Sequence, residues 1–309
     1  MAGIIITYTM IFLLGLSFAA MIVGNFWVSF EMDILQIIAV GVLTLYLIQR
    51  FLNPGPWFYL AATVAVFALK LATDPLPRDG WWMGLLVDVV LEPGNFVIIP
   101  WLFPFFLGMF CYLAPNRHNL WLGLTSLLML GLAWASGLSL GIDNRWDMSI
   151  GYFLCALLLT SACFHVARRL PHGLLSQTLM PLNWLGKNSL LFLYVHMVVI
   201  WAIRNHTQGI WGTYWIWPTV GIASLALMWV LPPLLGALRI PTLMTRFSAW
   251  IVLLVLVLAA PLVLPPGAPL VLTEFALGLV FSLYYASMTQ VLKGVSWPPR
   301  RQPLDLQQQ

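Results

Sequence analysis

The chain has 309 residues, of which 61% are hydrophobic and only 8% are charged, and its formal net charge is +4. A soluble domain carries about 25% charged residues, so this composition excludes a water-soluble globular protein. The basic residues are spread between apolar runs instead of forming one patch, so the positive charge does not indicate a nucleic-acid partner.

Apolar runs bounded by Pro, Gly or charged residues predict about ten membrane-spanning helices. In chain order the predicted spans are residues 4–26, 34–49, 57–72, 96–113, 120–138, 150–167, 189–203, 214–236, 248–264 and 271–292. The first run lacks a basic segment before it and a small-residue cleavage site, so we expect a retained helix and not a signal peptide. The sequence therefore predicts an all-α polytopic membrane protein whose transmembrane domain covers residues 1–292.

The distribution of charge predicts the orientation of these spans. When the loops are assigned alternately to two sides, ten of the 14 Lys and Arg residues fall on the side of the N-terminus. Of the ten acidic residues, only Asp305 falls on that side. Because cytoplasmic loops carry an excess of Lys and Arg, both termini are predicted to be cytoplasmic.

Two segments are predicted to lie outside the spans. Residues 73–95 form the longest outer loop, in which Trp81 and Trp82 precede a short apolar stretch. This pattern favours an interfacial helix anchored by tryptophan, or alternatively a lid over an outward-facing site. Residues 293–309 are rich in Pro, Arg and Gln and predict a disordered cytoplasmic tail. The three cysteines lie inside apolar runs without metal-binding spacing, so neither a disulfide framework nor a metal site is expected.

Ionisable side chains inside a bilayer are candidates for function because each costs about 2.5 kcal/mol or more to insert. His196 lies halfway along the seventh predicted span, where it could act as a general base or simply hydrogen-bond to a neighbouring helix. Ser189 is seven residues earlier and shares nearly the same helix face, whereas Asn188 lies about 80° further round.

Further polar residues are predicted at the outer ends of the spans. Asp33 and Gln36 are three residues apart at the start of the second span and therefore share one face. Glu274 enters the tenth span near its outer end, where it could pair with Arg204 at the outer end of the seventh. The residues alone thus predict a polar cavity in the outer half, around the second, fourth, seventh and tenth spans.

Three segments carry a family resemblance. PLNWLGKNS at residues 181–189, followed by Tyr194 and His196, resembles an LG-(K/R/M)-NSL…YxxH segment. Residues 10–15 with 32–39 resemble FLLGL…GILQRIA, and residues 99–108 resemble LPWLGxFLLG. These segments are found, in this order, in bacterial membrane proteins similar to heparan-α-glucosaminide N-acetyltransferase, and the resemblance covers roughly residues 10–205.

The resemblance implies an acyltransferase of the bacterial inner membrane. Such a protein passes an acetyl group from cytosolic acetyl-CoA to a sugar or glycolipid on the outer side, with a histidine as acyl carrier or base. It implies candidate catalytic residues, none of them assigned as the acyl-bearing nucleophile: His196, Asn188 and Asp33. The candidate substrate or cavity residues are Gln36, Trp101, Ser189, Arg204 and Glu274. Acyl-CoA is expected as a co-substrate, and no bound cofactor is expected.

The chain departs from the family pattern in two places. The family's opening helix pair, with a D-x-x-RG motif and a loop bearing its principal catalytic histidine, has no counterpart before Met10, and Ile37 stands where the family usually has Arg. The expectations are a truncated N-terminus, a partner chain or oligomer that supplies the missing helices, or loss of the chemistry. The alternative functions are a transporter or flippase for a small or lipid-linked solute, using His196 and Glu274, and a non-catalytic membrane subunit.

Overall fold

The computed structural model describes residues 2–23, 33–73, 98–141, 148–171, 180–206 and 215–294. Within these ranges the chain is helical and contains no strand, so the predicted all-α class is confirmed for them. The helices are α1 (Ala2–Val23), α2 (Ile34–Phe51), α3 (Pro56–Thr73), α4 (Ile98–Trp101), α5 (Phe103–Leu113), α6 (Asn116–Ala135), α7 (Ile150–Ala167), α8 (Met180–Lys187), α9 (Ser189–His206), α10 (Ile216–Ala237), α11 (Ile240–Leu243), α12 (Phe247–Val263) and α13 (Ala268–Gly294).

The described helices overlap the ten predicted apolar runs. Each of the ten predicted runs falls on a helix, and the fourth run is divided at Leu102 into α4 and α5, where Pro104 stands in the first turn of α5. Among the helices that the structure describes, five are long and apolar enough to cross a membrane: α2, α3, α7, α10 and the Ala268–Tyr285 part of α13. The predicted interfacial loop at 73–95 and the predicted tail at 293–309 lie almost wholly outside the described residues.

Large apolar side chains cover the outer surface of the helices. On α6, Trp121 is 62% exposed and Trp134 is 80% exposed, and on α10 Trp229 is 74% exposed. A soluble monomer rarely exposes apolar surface on this scale, whereas hydrocarbon chains solvate it without cost. The exposed faces therefore fit a lipid environment.

Among the described residues, buried apolar side chains form three clusters, and the first and third share α9 and α13. The first joins α1, α2, α9, α12 and α13 and includes Phe18, Tyr194 and Trp250. The second joins α3, α5 and α7 around Tyr59 and Phe103. The third joins α9, α10 and α13 and includes Leu191, Val195, Val220, Met228 and Leu279. Helix α9 thus packs through Tyr194 into the first cluster and through Leu191 and Val195 into the third.

A polar contact joins α7 to the turn between α5 and α6. The Arg168 guanidinium donates to the carbonyl oxygens of Tyr112 and Ala114, which end α5 and have no partner inside that helix. Alongside, Asn116 Nδ2 donates to the His165 carbonyl at 3.3 Å, and His165 Nδ1 lies 3.2 Å from the Asn116 carbonyl. The end of α7 is therefore held against this turn by side chains.

Two glycines allow helices of the first cluster to approach closely. A Cβ atom at Gly278 would overlap the Tyr194 ring at Cε1, and one at Gly15 would lie 2.7 Å from Cγ of Gln36. Small residues at such contacts are typical of membrane helices, where close van der Waals packing drives association. Gly278 brings α13 against α9, and Gly15 brings α1 against α2.

We predict that Gly278→Ala destabilises the protein by about 1–3 kcal/mol, because the added methyl group overlaps the Tyr194 ring. Gly131→Ala on α6 is the matched control, since nothing lies within 4 Å of a Cβ there. We expect Gly131→Ala to leave the free energy of unfolding unchanged or to raise it by up to about 1 kcal/mol, because alanine has a higher helix propensity than glycine. Thermal unfolding midpoints in detergent measure both variants, and equal midpoints would contradict the close contact.

Candidate functional site

Four polar side chains from three helices meet inside the bundle. They are Asp33 and Gln36 of α2, Tyr194 of α9 and Glu274 of α13, and we call them the buried polar cluster. Gln36 and Tyr194 are each 1% exposed, and Glu274 is 2% exposed. The carboxyl groups of Glu274 and Asp33 both act electrostatically on the Tyr194 hydroxyl, which places the three groups in one region of the bundle.

Asp33 is fixed in place by the start of α2. Its Oδ1 atom accepts a hydrogen bond from the Ile34 backbone N–H at 2.6 Å, while Gln36 Oε1 accepts from the Asp33 N–H at 2.5 Å. This reciprocal capping box orients the carboxyl group at the first turn of the helix. The other carboxyl oxygen, Oδ2, is buried and has no hydrogen-bond partner among the described residues.

Burial changes the acidity of Asp33, which precedes the first residue of its spanning helix. The loss of solvation raises the pKa of its carboxyl group from 3.8 to about 6, although the hydrogen bond from Ile34 acts in the opposite direction. The carboxyl group therefore holds its proton into the range between pH 4 and 6.

Tyr194 stands at the centre of the cluster and is held by its ring. The ring meets Phe18 of α1 edge to face, with centroids 5.1 Å apart, and lies against Gly278 of α13. Within the described part of the chain its hydroxyl group has no hydrogen-bond partner. A buried tyrosine hydroxyl usually has such a partner, so Tyr194 is an exception among the described residues.

The cluster lies inside the bundle and not at its surface. Glu274 is six residues beyond the first residue of α13, or about 9 Å along the helix, and Tyr194 is five residues beyond the first residue of α9, or about 8 Å. In the predicted topology these two helices begin on opposite sides of the membrane. The cluster is thus removed from both helix starts.

His196 belongs to a different face of α9. Its Nδ1 atom lies 2.8 Å from the Phe192 carbonyl oxygen one turn earlier, and its ring stacks on Phe192 with centroids 5.0 Å apart. A carbonyl oxygen only accepts, so in the neutral ring Nδ1 carries the proton and Nε2 keeps its lone pair. His196 lies about 160° around the helix from Tyr194 and is not part of the buried polar cluster.

The other predicted site residues are dispersed. Ser189 is exposed at the start of α9 on the His196 face. Asn188 donates from Nδ2 to the Trp184 carbonyl at 2.8 Å and so caps the end of α8. Trp101 packs against the second apolar cluster. The Arg204 side chain lies outside the described residues, so its predicted pairing with Glu274 stays a prediction.

Sequence reasoning therefore placed Asp33, Gln36 and Glu274 in one polar region but missed Tyr194. Tyr194 belongs to the segment that carries the family resemblance, two positions before His196, and the sequence predicts no role of its own for it. Nothing in the spacing tells which of these two side chains faces α13. Gly278 lies four residues after Glu274 on the same helix face, and a glycine there indicates that a large side chain of another helix packs against this position.

In the described ranges, no group of three or more His, Cys, Asp or Glu side chains is placed to hold a metal ion. The cluster offers a carboxyl oxygen and a hydroxyl group for hydrogen bonding, and the His196 face offers a ring nitrogen that can accept a proton. Comparison with protein families, curated proteins and solved structures found no match to the chain.

The raised pKa of Asp33 predicts a pH-dependent stability. The folded protein binds this proton more tightly than the unfolded chain, so stability is greatest below about pH 4 and falls by up to about 3 kcal/mol as the pH rises to about 6. Asp33→Asn should remove this fall and keep the helix cap, since asparagine caps as well as aspartate. Unfolding midpoints between pH 4 and 7 measure the effect. A variant as pH-dependent as the wild type would assign the titration to another group.

Proposed function

We propose that the protein is a membrane acyltransferase that moves an acetyl or other acyl group from cytosolic acyl-CoA to a sugar or glycolipid on the outer side. The proposal includes ten spanning helices, cytoplasmic termini and residence in the bacterial inner membrane. The observation that carries it is the state of His196, whose Nε2 lone pair is kept available by the hydrogen bond from Nδ1 to the Phe192 carbonyl.

A histidine in this state suits general-base chemistry. As the acceptor hydroxyl or amine attacks the thioester carbonyl, Nε2 takes its proton, the new C–O or C–N bond forms and the C–S bond breaks. The imidazolium then returns the proton to the leaving CoA thiolate, so the ring is regenerated. Ser189, on the same face and about 10 Å towards the cytoplasmic end of α9, lies on the side from which acyl-CoA would approach.

The buried polar cluster supports a second candidate function, a transporter or flippase for a small or lipid-linked solute. Two carboxyl groups inside a helix bundle are typical of proton and substrate pathways in transporters. In the transporter proposal, Asp33 and Glu274 are the two groups that bind the proton or the substrate, because His196 faces away from both.

The transferase proposal predicts that acetyl-CoA stabilises the purified protein in detergent. If acetyl-CoA binds only the folded state, a concentration a hundredfold above Kd raises the free energy of unfolding by about 2.7 kcal/mol. This corresponds to a rise of several degrees in the unfolding midpoint. Free CoA and ATP serve as controls for the nucleotide part of the molecule. A folded protein that shows no shift with acetyl-CoA would favour the transporter.

The same proposal predicts that His196→Ala lowers transfer at least about 100-fold, because it removes the proton acceptor. The measurement is the label from radioactive acetyl-CoA that enters the saccharide and glycolipid fraction of membrane vesicles containing the protein. His165→Ala is the matched control, since His165 lies at the end of α7 and contacts the α5–α6 turn. Unchanged transfer by His196→Ala would remove His196 from the reaction.

A further inference from the structure

Three arginines gather at one end of the bundle, where α5 turns into α6 and α7 ends. They are Arg117, in the first turn of α6, and Arg168 and Arg169, which follow the last residue of α7. The Arg168 guanidinium donates to the Tyr112 and Ala114 carbonyl oxygens, so the end of α7 lies beside the residues that lead into α6. All three arginine side chains are exposed. We call them the arginine patch.

No carboxyl group in the described ranges lies at this end of the bundle. Asp33 and Glu274 are the two acidic residues of those ranges, and both act on Tyr194 in the first apolar cluster. The arginine patch is at the opposite end of α2 from Asp33. Trp57, at the start of α3, places its ring 5.1 Å from the His118 ring, and α2 ends only a few residues before α3 begins. About 27 Å of helix therefore separates Asp33 from this end.

The chemistry of the patch indicates the group that it binds. Arginines without carboxyl partners attract an anion, and the guanidinium group binds phosphate through paired hydrogen bonds. Arg168 has further N–H groups beyond the two that donate to carbonyl oxygens. A phosphate group is therefore the complementary ligand.

The aromatic residues around the patch indicate its depth in the membrane. Trp57 is 59% exposed, Tyr112 is 64% exposed and Trp121, one turn after Arg117, is 62% exposed. Exposed tryptophan and tyrosine are enriched where the hydrocarbon meets the headgroups. The patch thus lies at the level of the lipid phosphates.

The exposed face of α6 continues from the patch into the hydrocarbon. Within about 60° of Arg117 around this helix lies a stripe of exposed apolar side chains, which we call the α6 stripe: Trp121, Leu124, Leu128 and Leu132. From Arg117 to Leu132 the helix rises about 22 Å, which exceeds the roughly 15 Å of hydrocarbon in one leaflet. A free phosphate ion would contact only the arginines, whereas a phospholipid contacts the arginines and the stripe.

We propose that the arginine patch and the α6 stripe form a binding site for one anionic phospholipid. Its phosphate accepts hydrogen bonds from the guanidinium groups of Arg117, Arg168 and Arg169, and an acyl chain lies along the stripe. The bound headgroup ties the end of α7 to the start of α6, so it stabilises the folded protein. The site does not use His196 and stands whether or not the chain transfers acyl groups.

The test measures unfolding midpoints of the full chain in detergent micelles during a titration with dioleoylphosphatidylglycerol. Dioleoylphosphatidylcholine has the same chains without net charge, and sodium phosphate has the anion without chains. The titration is repeated for the double variant Arg117→Gln/Arg169→Gln, which keeps the contact of Arg168 with α5. Arg239→Gln/Arg246→Gln is the matched control, because it also removes two exposed arginines on the same predicted side of the membrane, but around α11.

The site gives a saturable rise of about 2–4 °C with phosphatidylglycerol, and neither phosphatidylcholine nor sodium phosphate gives it. The Arg117→Gln/Arg169→Gln variant loses this rise and the control variant keeps it. Equal losses in the two double variants would show a general attraction of lipid to the basic side and would overturn the proposal. An equal rise with phosphatidylcholine or sodium phosphate overturns it too, as does a folded wild type that shows no rise.

Discussion

Hydrocarbon offers no hydrogen bonds, and this constraint decides which side chains of the chain can stay inside its helices. Short hydroxyl side chains find a hydrogen-bond acceptor on their own helix, one turn back. Thr63 donates to the Tyr59 carbonyl at 2.8 Å, and Ser161 donates to the Leu157 carbonyl at 2.6 Å. A carboxyl group or a phenol deep inside a bundle has no such local solution. The buried polar cluster contains one such phenol, Tyr194, and one such carboxyl group, Glu274, in the region where α1, α9 and α13 pack together.

Helix α9 carries Tyr194 and His196 on nearly opposite faces. Tyr194 looks towards the carboxyl groups of α2 and α13, whereas His196, two residues later, is supported by its own helix through the Phe192 carbonyl. A ring held in this way keeps one nitrogen basic without any second helix. Tyr194 and His196 therefore lie in different surroundings, although they are neighbours in sequence.

The positions of the helices could be predicted from the sequence because apolar runs and their Pro, Gly and charged boundaries are local signals. The class of residue in the polar region could also be predicted, since an ionisable group inside an apolar run stands out. The rotation of each helix could not, because α9 is apolar on nearly every side and both Tyr194 and His196 interrupt it equally well. The contact of Arg168 with the carbonyl groups at the end of α5 joins residues more than fifty positions apart in the chain. Local sequence spacing does not predict contacts of this kind.

The close fit between Gly278 and the Tyr194 ring has a mechanical consequence. The Tyr194 ring fills the space that the absent side chain of Gly278 leaves on α13. For α13 to slide or rotate against α9, this ring must first move towards Phe18. A comparable interlock lies between α2 and α5, because a Cβ atom at Gly41 would lie 2.6 Å from the Phe105 ring, so sliding is restricted at this contact as well.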